Sequence, residues 1–284
     1  MRRRTFIQAG ILTLASMAVS KTGIGAFRST SNIKVRLLRH ASLLVEICGR
    51  RILVDPMLSG REAMEPVANA GNTTRIPMVD LPFSGQELIN IIDSIDAIIV
   101  THTHRDHWDT AAQALLPKEI PVFCQPGNEK EIAKQGFSNA IPVDNSLVWK
   151  NIRLYRTHGQ HGTGEIGAKM GHVSGFVIEH DNKRIYIAGD TIWCDDVLEA
   201  VNKYQPNHII VNGGCAKFVT GDPITMNIHD VLSVAGNSDA KVHVVHLETI
   251  NHCRERRSDY HTAIHDNNLA HQIFVPEDGA WLKL

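Results

Sequence analysis

The chain carries almost no net charge. Its 29 Lys and Arg stand against 30 Asp and Glu, leaving −1 at pH 7 with a pI of about 7.0. A nucleic-acid track or a docking face for anionic lipid needs a cationic excess, and none is visible. Cysteine is scarce and scattered. Cys48, Cys124, Cys194, Cys215 and Cys253 include no C-x-x-C pair, so neither a disulfide framework nor a thiolate zinc site is indicated. There is no G-x-S-x-G turn to present a serine nucleophile. Internal repeats and low-complexity tracts are also missing. What remains is a 284-residue chain, 43% hydrophobic, which suits one large α/β domain. Its 16 histidines exceed what packing requires.

Three of those histidines crowd into one stretch, Thr101-His102-Thr103-His104-Arg105-Asp106-His107-Trp108-Asp109, with the pattern H-x-H-x-D-H. The apolar run Ile95-Asp96-Ala97-Ile98-Ile99-Val100 precedes it and reads as a buried strand. The motif therefore begins where a strand ends. Continued strand geometry would point His102 and His104 the same way, because side chains alternate with period two. Asp106 and His107 follow at once and can face a second point nearby. Neutral imidazole and carboxylate are ligands for zinc and similar divalent ions.

Residues 1–26 read as an export segment, and 27–284 as a single domain. Arg2, Arg3 and Arg4 lead into a short apolar run, with Gly23, Gly25 and Ala26 behind it. The run is too short to span a bilayer comfortably. Arg3-Arg4-Thr5-Phe6-Ile7 resembles the twin-arginine signal, which implies the twin-arginine export machinery as a partner. The mature protein is then expected to be periplasmic or otherwise exported, with no stable membrane span after cleavage.

The domain opens with strand candidates at 33–38, 42–47 and 51–54, the last two joined by a turn at Cys48-Gly49-Arg50. Residues 58–83 carry Gly60, Pro66, Gly71, Pro77 and Pro82 and read as a long irregular loop. Its apolar members (Met57 at its edge, then Leu58, Met64, Val67, Ile76, Met78 and Phe83) are candidates to cover a site. Helices are expected at 86–92, 110–116, 129–135, 197–203, 228–235 and 260–270. Strands are expected at 121–124, 147–149, 152–156, 173–178, 184–188, 208–211, 242–245 and 272–275. That alternation argues for a layered α/β domain.

Three further strand ends offer ligands: His158 or His161 after 152–156, Asp190 after 184–188, and His246 after 242–245. The ends of strands are where α/β folds gather their chemistry. Taken alone, Asp190 could instead cap a helix before Trp193, and His246 could be a hydrogen-bonded core histidine. His252, His261, His265 and His271 read as solvated or capping residues. His40 and Asp55 read as groups that orient ligating imidazoles rather than as ligands.

The series H-x-H-x-D-H, a distant His, Gly189-Asp190-Thr191 and a late His resembles that of the metallo-β-lactamase superfamily. Arg39-His40-Ala41-Ser42, the hairpin and Val54-Asp55-Pro56 resemble the branch holding ascorbate-6-phosphate lactonase and the N-acyl-phosphatidylethanolamine phospholipases D. The resemblance implies a four-layer αββα sandwich. It implies two divalent metal ions, zinc first, with manganese or iron as alternatives. His102, His104 and His161 would bind one metal; Asp106, His107 and His246 the other; Asp190 would bridge them. His161 is preferred to His158 because Gly159-Gln160-His161 is closer to the branch's motif. Where the branch often has Trp-Gly-Thr after the late His, this chain has Leu247-Glu248-Thr249, so its substrate pocket departs from the pattern. Such a pair of metals lowers the pKa of a shared water toward neutrality, so that hydroxide is the nucleophile. Asp106 or Asp190 would pass a proton to the leaving group. The implied activity is hydrolysis of a small-molecule ester, foremost a lactone. A phosphodiesterase or phospholipase D-like hydrolase and a non-hydrolytic metal-binding protein are the alternatives.

Overall fold

The computed structural model describes residues 33–284, so the expected export segment at 1–26 lies outside the described residues. The first sheet, of six strands, begins as an antiparallel meander of β1 (Lys34–Arg39), β2 (Ser42–Ile47) and β3 (Arg50–Val54). Cys48 and Gly49, both with positive φ, turn the chain between β2 and β3. The strands β4 (Ala97–Val100), β5 (Val122–Cys124) and β6 (Ala140–Pro142) then add in parallel. The second sheet, of seven strands, runs antiparallel through β7 (Ser146–Trp149), β8 (Ile152–His158), β9 (Ser174–His180) and β10 (Lys183–Ile187). It continues in parallel through β11 (His208–Asn212), β12 (Lys241–Val245) and β13 (Ile273–Phe274).

Alternation along the strands builds four layers. In β2, Leu43, Val45 and Ile47 face the second sheet and meet Ile152, Leu154, Phe176 and Ile178 in the central core. Their neighbour Leu44 points the other way, onto the layer of α1 (Gly85–Ile92), α2 (Thr110–Leu115) and α3 (Glu129–Lys134), through Ile91, Ala112 and Ile132. The far face of the second sheet is covered by α5 (Asp195–Tyr204), α6 (Ile228–Gly236) and α7 (Arg257–Asp266), through Val201, Val234 and Ile264. The apolar run of β4 and the Ile209-Ile210-Val211 centre of β11 follow from burial on both faces. The fold is the αββα sandwich expected from the sequence.

Strand direction positions the site. β1, β3 and β4 all run the same way, as do β8, β10, β11 and β12. Each of these seven strands delivers a polar residue at or just past its C-terminal end: His40, Asp55, His102, His161, Asp190, Asn212 and His246. His40, Asp55 and His246 hold φ of 61°, 43° and 69°, a region that non-glycine residues rarely occupy and that clusters at functional sites. A hydrogen bond from the His246 N–H to the His40 carbonyl, 2.9 Å, ties the two sheets together there.

The 58–83 segment is irregular as expected, apart from a bridge between Met64 and Ile76. It is also pinned. The buried Arg39 guanidinium donates to the carbonyls of Met57, Ser59 and Val79 at 2.8–3.0 Å. Asp109 accepts from the Ser59 N–H at 2.7 Å while capping α2.

Candidate metal centre

The seven residues expected to ligate converge on one spot. The Asp190 carboxylate lies at the centre. Its Oδ2 stands 3.2 Å from His107 Nε2, 3.6 Å from His161 Nε2 and 3.9 Å from His102 Nε2, and its Oδ1 stands 3.5 Å from His246 Nε2. Asp106 Oδ2 lies 3.6 Å from both His107 Nε2 and His246 Nε2. His104 Nδ1 meets His102 Nε2 at 3.0 Å. Within this cluster three overlapping groups could each hold a metal ion: His102, His104 and His161; His102, His107 and Asp190; and His40, Asp106, His107 and His246.

The anchors behind these rings fix which nitrogen looks inward. His102 Nδ1 lies 3.0 Å from the Thr101 hydroxyl and His107 Nδ1 2.9 Å from Asp55. His161 Nδ1 lies 2.7 Å from the Ile224 carbonyl, and His246 Nδ1 3.8 Å from the Cys253 thiol. With Nδ1 engaged, Nε2 is left for the centre, the usual arrangement of ligating imidazoles. The buried Nε2 atoms of His107 and His246 have no hydrogen-bond partner in the protein. Buried donors and acceptors are normally satisfied, so two orphans facing carboxylates fit a cation.

Electrostatics point the same way. Burial alone would push the Asp106 and Asp190 carboxyls up, but the imidazoles around them outweigh it and hold both well below the usual carboxylate range. Burial pulls His102 well down, helped by His107. His246 goes the other way: burial lowers it, yet Asp190 and Asp106 carry it up to about 10. Two ionised carboxylates within a crowd of imidazoles are the donor set that a divalent cation takes.

Among the residues read only from sequence, Asp55 orients as expected. It accepts from the Thr101 N–H and hydroxyl, each at 2.7 Å, while facing His107. His40 comes closer to the centre than expected, with Nε2 3.3 Å from Asp106 Oδ2, and it stands in one of the possible metal groups. His158 is exposed at the end of β8, beside Arg156, away from the cluster. Asp190 caps no helix, since α5 starts only at Asp195 behind Cys194. Asn212, which the sequence reading passed over, donates to Asp190 Oδ1 at 2.7 Å. Its place at the end of β11 was the available signal. His252 corrects an expectation: it is not solvated but buried, and it lines the cavity over the cluster.

That cavity holds about 220 Å³. Its apolar wall is Val67, Ala68, Met170, Phe218 and Ile224. Of the loop residues expected to cover the site, Val67 alone reaches it. Met57 and Ile76 pack with Ile250 beneath the loop, and Phe83 packs toward α1.

The family model of the beta-lactamase superfamily domain matches residues 50–247. The chain is similar to the UPF0173 protein YddR of Bacillus subtilis, at 34% identity over 253 residues, covering 87% of this chain and 98% of the relative. Among solved structures, a possible metal-dependent hydrolase from Veillonella parvula aligns with a TM-score of 0.84 and 33% identity, covering 89% of this chain and all of that one. An isothiocyanate hydrolase from Delia radicum gut bacteria aligns with a TM-score of 0.82 and 32% identity, covering 88% of this chain and 99% of that one.

Proposed function

We propose a substrate class and residue roles from one premise: the chain belongs to the beta-lactamase superfamily and is a metal-dependent hydrolase. The substrate is a small, uncharged, largely apolar molecule with an electrophilic carbon. One observation carries this reading, the cavity over the His/Asp cluster. It is small, five of its eleven lining residues are apolar, and Arg105 is its one Lys or Arg, with the guanidinium held by the Pro66 carbonyl at 2.9 Å. A phosphodiester would depend on the metals alone for its charge, since Arg105 is the one cation the protein brings to the cavity, whereas a neutral electrophile asks for no such help.

Two divalent ions would be held by His102, His104, His161, Asp106, His107, His246 and Asp190, the imidazoles and carboxylates gathered at this edge. Zinc is favoured, because the donors are imidazole and carboxylate. Such ions lower the pKa of water toward about 7 and polarise the atom under attack. The protein does the rest. Asp106 or Asp190, both ionised, would relay the proton that water sheds to the substrate atom that gains the electron pair. The apolar wall seats the substrate's body and excludes bulk water.

An isothiocyanate, the substrate class of the solved relative, fits these walls, since its slender body needs no polar recognition. Water oxygen bonds to the central carbon, one C=N electron pair moves to nitrogen, and a water proton ends on that nitrogen, giving a thiocarbamate. A lactone, the class suggested by the branch resemblance, offers a similar neutral carbon. Initial rates on phenethyl isothiocyanate, a simple lactone series and bis(4-nitrophenyl) phosphate, all with one zinc-loaded preparation, test the reading. Turnover of a carbon electrophile is expected. Turnover of the diester alone would reject it.

A further inference from the structure

We propose that His252 is a catalytic residue of this site: an imidazole N–H of His252 hydrogen-bonds the substrate heteroatom on which negative charge gathers as water adds. The inference rests on the hydrolase reading above for its chemistry and on the position of one side chain for its geometry.

His252 lines the same cavity as His104, Asp106, His161 and Asp190. It is nonetheless absent from all three groups of residues that could hold a metal. It is only 6% exposed, yet its Nδ1 has no hydrogen-bond partner, and neither ring nitrogen bonds to any described residue. The other buried histidines of the site each use a ring nitrogen on a protein partner. Nδ1 is closed off inside the protein, whereas Nε2, which no described residue engages, is the ring nitrogen left to meet a substrate in the cavity.

The ring is also held in place. It stacks on Phe218, with centroids 5.5 Å apart and planes at 18°. Its carbonyl accepts from the Lys217 N–H at 3.0 Å. The preceding residue, Asn251, is bonded to the Val67 N–H at 2.9 Å, and Ile250 is buried beneath the loop. A donor fixed before the substrate arrives costs no reorganisation when charge develops. Burial takes the pKa of His252 down to about 4. At neutral pH the ring is therefore uncharged, with one N–H to donate and no cation to repel metals nearby.

Zinc-loaded wild type, His252→Ala and His252→Gln are compared by metal content, by kinetics on whichever panel compound the wild type turns over fastest, and by binding of phenylboronic acid, which becomes a tetrahedral anion. Both variants should keep the wild-type metal content. His252→Ala should lose about 10²–10³-fold in kcat with KM changed little, and His252→Gln, which retains a donor, should recover part of it. Phenylboronic acid should bind His252→Ala at least roughly tenfold more weakly, the loss expected of one hydrogen bond to a charged group. Wild-type kcat and wild-type boronate affinity in His252→Ala would overturn the proposal. Loss of metal would overturn it too, by making His252 a ligand. If the wild type hydrolyses nothing in the panel, the substrate reading fails, while the boronate comparison still decides the role of His252.

Discussion

Asp55 shows how single residues set up the centre without belonging to it. One carboxylate takes two bonds from Thr101 and faces His107 Nδ1, so it fixes both the start of the motif and one of its rings. Replacing Asp55 with Ala should leave the ligands in the chain but weaken metal binding about 10–100-fold, as measured by competition with a chromophoric chelator. Unchanged affinity would mean that ring orientation is set elsewhere. At this scale the sequence was legible where residues are adjacent. H-x-H-x-D-H announces itself because six consecutive positions carry four donors. His252 and Asn212 were not legible, because what distinguishes them is spatial. What buries His252, unlike solvated His261 and His265 on α7, is the Phe218 ring and the cavity wall beside it. His161 and His158 lie three residues apart in the chain, and only the turn past β8 decides which of them is buried.

At the scale of elements, strand ends and the turns behind them aim the ligands. Gly189, between β10 and Asp190, sits at φ +71°, and a Cβ there would stand 2.6 Å from the Ser174 carbonyl oxygen. Gly189→Ala should therefore push the turn aside, cut metal affinity and activity at least roughly tenfold, and destabilise the fold by about 1–3 kcal/mol. Chelator titration and urea unfolding check this; a variant with wild-type values on both would show that the turn tolerates a side chain. Most elements were readable within a residue or two, because the layers impose apolar patterning, alternating in some strands and continuous in others, on β1–β4 and β8–β12. The misses have physical reasons. The helix α4 (Gly164–Met170) buries none of its residues, so it has no apolar stripe to read. The edge strand β6 is three residues long and ends in Pro142. Helix α7 starts three residues before the expected 260, at Arg257, whose side chain bridges Glu248 and Asp278, and it stops at Asp266 rather than at 270.

For the whole molecule, acid should act on the sandwich away from its catalytic edge as well as at it. His243 is fully buried in β12, stacked on Phe274 and 3.3 Å from His208. Burial first, then His208 and Lys241, bring its pKa down to about 3. Its folded pKa is thus depressed. The stability tied to neutral His243 is complete above about pH 6.5 and is lost as pH falls toward 3, where the unfolded chain binds a proton that the folded chain refuses. His243→Leu should flatten the decline of unfolding free energy between pH 6.5 and 4 by up to about 1.4 kcal/mol per pH unit, while equal slopes in both proteins would discount the group. Among the described residues no helix is long and apolar enough to cross a membrane. We propose export by the Arg3-Arg4-Thr5-Phe6-Ile7 signal. Lysine at both Arg3 and Arg4 should trap precursor in the cytoplasm, and undiminished export would refute the signal. The central claim, that seven side chains from both sheets form one two-metal hydrolytic centre, is tested most directly by counting metal in purified wild type, His246→Ala and Asp190→Ala by inductively coupled plasma mass spectrometry. The account expects close to two divalent ions per chain in the wild type, about one in His246→Ala, and loss from both sites together in Asp190→Ala. A full metal complement in Asp190→Ala, or a wild type that binds none, would contradict it.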